Sequence, residues 1–196
     1  MQLSKPLLPN LLVNMEIEIK VKVENIVPLI NFLKANAKRL FSKRQIDEYY
    51  TPAHRDFLKA EPIEEWLRLR DSDGAYSINY KKWHYEGKTT SNYCDEYETP
   101  VTDIEALRKI LIALDFKALI TVDKQRESWQ YEDYEISIDS VKDLGQYVEI
   151  EYTRESGDPH IITTDMFAFL NDLDCGLIER DFKGYPYGLL EKYSNK

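Results

Sequence analysis

From residue 16 the chain alternates charged and apolar side chains with a period of two. Glu16, Glu18, Lys20 and Lys22 fall on one side of this stretch, and Ile17, Ile19, Val21 and Val23 on the other. Successive side chains of a β-strand point to opposite faces, so the carboxylates and ammonium groups share a face. The pattern recurs. Trp66–Arg70 sets Arg68 and Arg70 on one side, and Tyr76–Lys81 alternates and ends in a lysine. Glu96 and Glu98 flank Tyr97, while Lys124 and Arg126 flank Gln125 behind Ile120-Thr121-Val122. Glu135–Asp139 alternates and ends in a carboxylate, and Tyr147–Glu151 repeats the glutamate pair as Glu149 and Glu151. β-Branched or aromatic residues on the apolar side predict a strand in each case.

One such strand alone has an ordinary reading, with one face packed and the other in water. Repetition changes that reading, because the polar faces are carboxylate pairs or cation pairs. These groups are costly to enclose unless they balance one another or meet a charged ligand. A sheet curled around them would enclose about seven carboxylates and eight cations by alternation.

Between the strands the apolar spacing turns helical. Residues 25–34 predict a helix with Asn25 as its candidate N-cap and Pro28 in its first turn. Gln45–Tyr50 returns to a strand, and Thr51–Glu65, with two prolines and His54, reads as an exposed loop. A turn at Asp71-Ser72-Asp73-Gly74 joins two strands, and Trp83–Asn92 is a polar stretch. Thr102 and Glu105 form a capping-box pattern ahead of a helix whose buried face would be Leu107, Ile110, Leu111 and Leu114. A hairpin turn is expected near Asp143-Leu144-Gly145, a helix over Thr164–Leu173 and a short one over Tyr187–Tyr193. The expected fold class is α+β: about eight antiparallel strands in a closed or nearly closed barrel, charged inside, with helices packed outside. This inverts an ordinary small barrel, and the inversion makes sense only if the interior is a binding tunnel.

Composition narrows the function. The chain of 196 residues suffices for one domain with a sizeable core. The reading is a tail over 1–14 and one domain over 15–196. A formal net charge of −9 disfavours nonspecific binding to nucleic acid or an anionic membrane. It leaves room for a local cationic site. Cys94 and Cys175 lie in unlike surroundings without metal-type spacing, which fits a reduced, cytoplasmic location. No apolar run reaches membrane-span length, and the first fourteen residues, broken by Pro6 and Pro9, lack a signal-peptide core. His54, His84 and His160 read as surface histidines, and Trp66, Trp83 and Trp129 as packing residues.

These residues resemble the CYTH superfamily, the triphosphate tunnel metalloenzymes, named for class IV adenylate cyclase and thiamine triphosphatase. Glu16-Ile-Glu-Ile-Lys20 matches the family's N-terminal Glu-x-Glu-x-Lys signature, and Gln45–Tyr50 resembles the next strand of the cyclase-like branch. Leu67–Arg70 and Tyr80-Lys81 resemble its central basic strands. Glu96 and Glu98, Lys124-Gln-Arg126, Ile138-Asp139 and Leu144–Glu151 follow in family order. Lys183-Gly-Tyr-Pro-Tyr-Gly-Leu-Leu190 resembles the C-terminal Lys/Arg-Ser-Tyr-x-x-Leu-Leu element, with Gly184 in place of the usual serine. The likeness runs from Met15 to about Tyr193.

The resemblance and the residue chemistry point the same way. Cations on separate strands can grip a triphosphate along its length, arginine bidentately. Carboxylates repel it unless a hard divalent ion bridges carboxylate to phosphate. The expected metal is Mg²⁺ or Mn²⁺, held by Glu16, Glu18, Glu149 and Glu151 with Asp139 nearby, and with Glu96 and Glu98 as further candidates. Lys20, Arg68, Arg70, Lys81, Lys124, Arg126 and Lys183 would hold the phosphates. Glu16, Glu18, Lys20 and Asp139 would carry the catalysis, with no side-chain nucleophile, because phosphoryl transfer is mostly positioning and charge stabilisation. Water attacking the terminal phosphorus gives hydrolysis of inorganic triphosphate or a nucleoside triphosphate. A ribose 3′-hydroxyl attacking the α-phosphorus gives cyclic AMP and pyrophosphate, as in a class IV adenylate cyclase. The third alternative is a silent polyphosphate- or nucleotide-binding module. Hydrolysis is placed first, because no adenine-reading feature stands out. The expected state is monomer or homodimer, without nucleic-acid or membrane partners.

Overall fold

The computed structural model describes residues 14–86, 90–154 and 157–194. The expected tail, up to residue 13, and part of the Trp83–Asn92 stretch lie outside the described residues. The strands are β1 (Asn14–Val23), β2 (Lys38–Pro52), β3 (Glu65–Ser72), β4 (Ala75–Glu86) and β5 (Thr90–Val101). They continue as β6 (Phe116–Tyr131), β7 (Tyr134–Val141), β8 (Gly145–Tyr152) and the short β9 (Ile178–Arg180). The helices are α1 (Val27–Asn36), α2 (Ile104–Ala113), α3 (Pro159–Asp172) and α4 (Gly184–Ser194).

The sheet runs β5-β4-β3-β2-β6-β7-β8-β1, and a further pairing of β1 with β5 closes it into an eight-stranded antiparallel barrel. β9 is added beyond the closed ring, on β1. Alternation decides what each face meets. Ile17, Ile19 and Val21 of β1, Ile136 of β7, and Val148 and Ile150 of β8 all turn outward into one buried cluster with Leu29 and Leu33 of α1 and Ile162, Met166 and Leu170 of α3. The helices thus supply the apolar cover that a charged interior denies to the strands. On another side Ile104 and Leu111 of α2 pack with Tyr50 and Leu69. α4 presses Tyr185 and Leu189 against Tyr49, Val122, Val141 and Tyr147.

Several local expectations change. The 51–65 segment is not simply exposed: it contains a 3₁₀ turn at Phe57–Lys59, and Phe57 and Ile63 are buried. β4 carries on through Trp83 to Glu86 as a strand, because each residue from Trp83 finds a partner on β5 that the polar sequence did not reveal. The N-cap of α1 is Ile26 rather than Asn25, whose side chain accepts from the Val27 amide at 3.1 Å. The cap of α2 is Asp103, whose carboxylate accepts from the Ala106 amide at 2.9 Å, rather than Thr102. Ile110 and Leu114 stay exposed, since α2 meets the barrel along a narrower stripe than its sequence offers. α3 begins at Pro159, capped by Asp158, well before Thr164, and α4 begins at Gly184, before Tyr187.

Candidate functional site

The charged faces of β1 to β6 and β8 line one cavity of about 290 Å³, with Tyr185 and Pro186 of α4 at one side. Strand pairing sorts its charges into two groups. In the first, Lys81 draws carboxylates together: its ammonium donates to Glu16 Oε2 at 2.5 Å and Glu18 Oε2 at 3.2 Å, and lies 3.6 Å from Glu96 Oε1. The register explains the meeting, because Lys81 faces Glu96 across β4–β5, Glu16 faces Cys94 on β5, and Glu18 faces Glu151 across β1–β8. Burial raises the Glu16 carboxyl; Lys81 opposes this, but Glu18, Glu96 and Glu151 add to the rise and leave it well above the ordinary range. Burial and Glu18 push Glu151 up to about 7. More negative charge is gathered here than one ammonium neutralises. Glu98 stands beside this group, accepting from Ser77 Oγ at 2.6 Å and facing Asn79.

The second group is a chain of alternating charges. Asp139 accepts from Arg126 through Nε at 2.8 Å and Nη2 at 2.6 Å, from Lys124 Nζ at 3.1 Å and from the Tyr185 hydroxyl at 2.9 Å. Arg126 continues to Glu149 Oε1 at 2.7 Å, and Glu149 Oε2 lies 3.2 Å from Lys20 Nζ. Burial raises the Asp139 carboxyl, but Arg126 and Lys124 outweigh it and hold it at about 2. Burial and the neighbouring Arg126 bring the Lys124 ammonium down to about 7. Lys20 goes the other way: Glu149 and Glu18 overcome its burial and raise it.

The arginines of β3 divide their roles. Arg70 grips Asp47 of β2 with two bonds, Nε to Oδ1 at 2.6 Å and Nη2 to Oδ2 at 2.8 Å. Arg68 reaches the same carboxylate only at 3.7 Å, and its buried Nε has no hydrogen-bond partner among the described residues. A buried donor left unmet is costly, so Arg68 is the side chain with most to gain from an arriving anion.

The structure brings Glu16, Glu18, Lys20, Arg68, Arg70, Lys81, Glu96, Glu98, Lys124, Arg126, Glu149 and Glu151 to one cavity, as their alternation implied. Two candidates differ: Asp139 does not line the cavity, and Lys183 lines it without turning its charge inward. Asp139 lies on the inner face opposite Arg126 but is fully buried, its oxygens taken by Arg126, Lys124 and Tyr185. Lys183 lies at the rim with its ammonium turned to Glu191 at 3.0 Å. The reason is local. Gly184 takes φ +77°, which favours glycine, and Asp181 accepts from the amides of Lys183 and Gly184 at 3.0 Å each, so α4 starts by pointing Tyr185 inward and Lys183 outward. Contributors missed include Asp47 and Tyr185, with Arg180 and Asp181 on the cavity lining. For Asp47 and Tyr185 the sequence signal was position: Asp47 shares the parity of Gln45 and Tyr49, and Tyr185 lies in the C-terminal element. Of the tryptophans, Trp66 packs edge-on to Tyr49, with ring centres 5.5 Å apart, and lines the cavity with Trp83, whereas Trp129 sits in the outer core. His84 pairs with Asp95 at 2.8 Å.

Among the described residues no three acidic, histidine or cysteine side chains converge on a point that could hold a metal in this arrangement. The Lys81 ammonium stands where Glu16, Glu18 and Glu96 approach one another. The donor set still fits a hard divalent cation, because it offers carboxylate oxygens only and carries uncompensated negative charge.

Known proteins share both the sequence and this architecture. Residues 14–173 match the CYTH domain model. A protein of Methanocaldococcus jannaschii provisionally named adenylate cyclase MJ0240 is 35% identical over 137 residues, which is 69% of this chain and 75% of that protein. The PH1819 protein of Pyrococcus horikoshii superposes with a TM-score of 0.75 at 26% identity, covering 90% of this chain and 99% of that one. HpAC1 of Hippeastrum, provisionally named an adenylyl cyclase and described as having a dominant triphosphatase activity, gives a TM-score of 0.62 at 16% identity, covering 91% and 96%. A match over this much of the sequence, with a closed barrel charged on its inner face, makes this chain a member of the CYTH family.

Proposed function

We propose that this chain binds a triphosphate along its tunnel and hydrolyses it in a divalent-metal-dependent reaction, with inorganic triphosphate or a nucleoside triphosphate as substrate. The family is one of metal-dependent enzymes acting on such substrates. The observation that carries the proposal is the division of a single cavity. A carboxylate cluster surrounds Lys81 on one side, while Arg68, Arg126, Lys124 and Lys20 come from three strands on the other. Mg²⁺ or Mn²⁺ held by Glu16, Glu18, Glu96 and Glu151, with Glu149 at the boundary, would neutralise phosphate charge and acidify a water. Arg68 offers its unmet Nε to a phosphate oxygen, and Arg126 and Lys20 offer charge to the next phosphate. Arg70 serves chiefly to hold Asp47, and through it the place of Arg68. Lys124 and Arg126 are in turn aligned by Asp139, buried beneath them on the inner face. In-line displacement needs no protein nucleophile, since positioning and charge stabilisation provide most of the rate.

Cyclisation of ATP is the second reading, supported by the naming of the 35%-identical relative. One assay separates the two. The protein is incubated with ATP, inorganic triphosphate or thiamine triphosphate and Mg²⁺ or Mn²⁺, and the products are identified. Orthophosphate supports hydrolysis, cyclic AMP with pyrophosphate supports cyclisation, and tight binding without turnover marks a silent module. Full turnover after chelation would overturn the metal assignment. Among the described residues no helix is long and apolar enough to cross a membrane.

The grip along several strands has its own consequence. Arg68→Ala and Lys124→Ala should each weaken triphosphate binding by about tenfold or more, from the loss of a charge-assisted contact of roughly 1.5–3 kcal/mol. Orthophosphate, too short to reach every cation, should lose less. Arg70→Ala should act more through stability than through contact. Calorimetry with triphosphate, diphosphate and phosphate checks this, and equal losses for all three ligands would exclude an extended site.

A further inference from the structure

Tyr185 is 3% exposed and touches three members of the second charge group at once. Its hydroxyl donates to Asp139 Oδ2 at 2.9 Å. Its ring centre lies 4.6 Å from the Lys20 ammonium and 5.0 Å from that of Lys124. The ion-paired series runs Lys124–Asp139–Arg126–Glu149–Lys20. The ring therefore meets the two lysines at its ends, and the hydroxyl meets a carboxylate within it. Its place is set by α4 and by the inner face of β8. The turn at Gly184 aims it inward, and Tyr147 packs edge-to-face against it with ring centres 4.8 Å apart.

An aromatic ring holds an ammonium without a countercharge, since the attraction comes from the ring quadrupole. A carboxylate in the same place would orient the lysine but spend its charge. We propose that Tyr185 is a positioning residue for anion binding, whose ring seats Lys20 and Lys124 toward the ligand without adding a further countercharge to the carboxylates they already meet, while its hydroxyl shares Asp139 with Lys124. This deepens the triphosphate reading and rests on it.

The test uses the full chain, with Tyr185→Met, which keeps apolar bulk without a ring, and Tyr185→Phe, which keeps the ring without the hydroxyl. NMR of the side-chain methylene groups next to the ammonium of Lys20 and Lys124 gives a readout independent of any ligand. Ring-current shifts are expected in wild type and Tyr185→Phe and should vanish in Tyr185→Met. Their absence from wild type overturns the placement, whatever the variants do. Calorimetry with inorganic triphosphate, without added metal, is expected to show affinity down about tenfold in Tyr185→Met and restored to within about threefold of wild type in Tyr185→Phe. A folded Tyr185→Met that binds as wild type does sinks the positioning role. Should Tyr185→Met not fold, a tenfold or greater loss in Tyr185→Phe, whose ring contacts persist, equally overturns it. Wild-type protein that fails to bind triphosphate at all would instead sink the functional reading beneath the inference.

Discussion

Glu16→Gln is expected to cut triphosphate turnover by at least about a hundredfold, a loss of roughly 3 kcal/mol of transition-state stabilisation, while the chain stays folded. Glutamine keeps the shape of the side chain and can still accept from Lys81, so the barrel wall is unchanged. What disappears is one of the negative charges that would hold the cation. Raising the Mg²⁺ or Mn²⁺ concentration should recover part of the rate, as expected when metal affinity is the quantity weakened. Stability without ligand should hold or rise, because burial and the neighbouring Glu18, Glu96 and Glu151 already push this carboxyl toward its uncharged form. Phosphate release across a metal titration, with a thermal melt in chelator, checks both halves. A variant that turns over normally, or that unfolds at ambient temperature, would show Glu16 to be structural.

Asp47→Ala is expected to destabilise the chain by about 3–5 kcal/mol, the usual cost of stranding one member of a buried ion pair. Asp47 is fully buried, and its removal leaves Arg70 without either of its bonds to that carboxylate. Combining it with Arg70→Met should restore much of the loss, since the pair then leaves together and no buried charge is stranded. The pH dependence has a definite sign. Burial raises the Asp47 carboxyl, but Arg70 and Arg68 outweigh that and hold it well below its ordinary value. Its contribution is therefore complete above the unfolded-state pKa of about 4, and is lost as the pH falls toward the folded-state value. The gap between wild type and Asp47→Ala in urea denaturation should be full at neutral pH and shrink in acid. A gap that is small at neutral pH, or that widens in acid, would remove the structural role given to Asp47.

The division of labour between Arg68 and Arg70 follows from the same contact. In sequence they are equivalent members of one alternating strand. In the fold one is tied to Asp47 by two bonds and the other keeps an unmet buried donor. A tunnel that must attract an anion without collapsing on itself needs both kinds of cation, some neutralised and holding shape, others left with charge to give. Lys20 and Lys124, each against the Tyr185 ring, belong to the second kind in part.

Alternation by itself determined that charged residues share a face, because a strand's side-chain period is local and needs no partner. That was enough to foresee a closed barrel with a charged interior and the membership of its cavity from Glu16 to Glu151. The order of the motifs was likewise legible, since it is linear. Partnership was not. Lys81 lies 65 positions from Glu16 and 63 from Glu18, and they meet only because the β1–β5 pairing closes the ring. Register across β4–β5 left Glu98 beside Asn79, and register across β6–β7 set Asp139 among cations that cover it, where alternation had counted both with the metal-binding carboxylates. Asp47 escaped notice because its meaning is its cross-strand neighbour Arg70, a matter of register. Lys183 and Tyr185 were exchanged in importance by one backbone turn at Gly184, which decides the direction each side chain takes. Local chemistry selected the charges; only long-range pairing and the docking of α4 chose which of them face each other, which are already satisfied, and which remain free to meet a ligand.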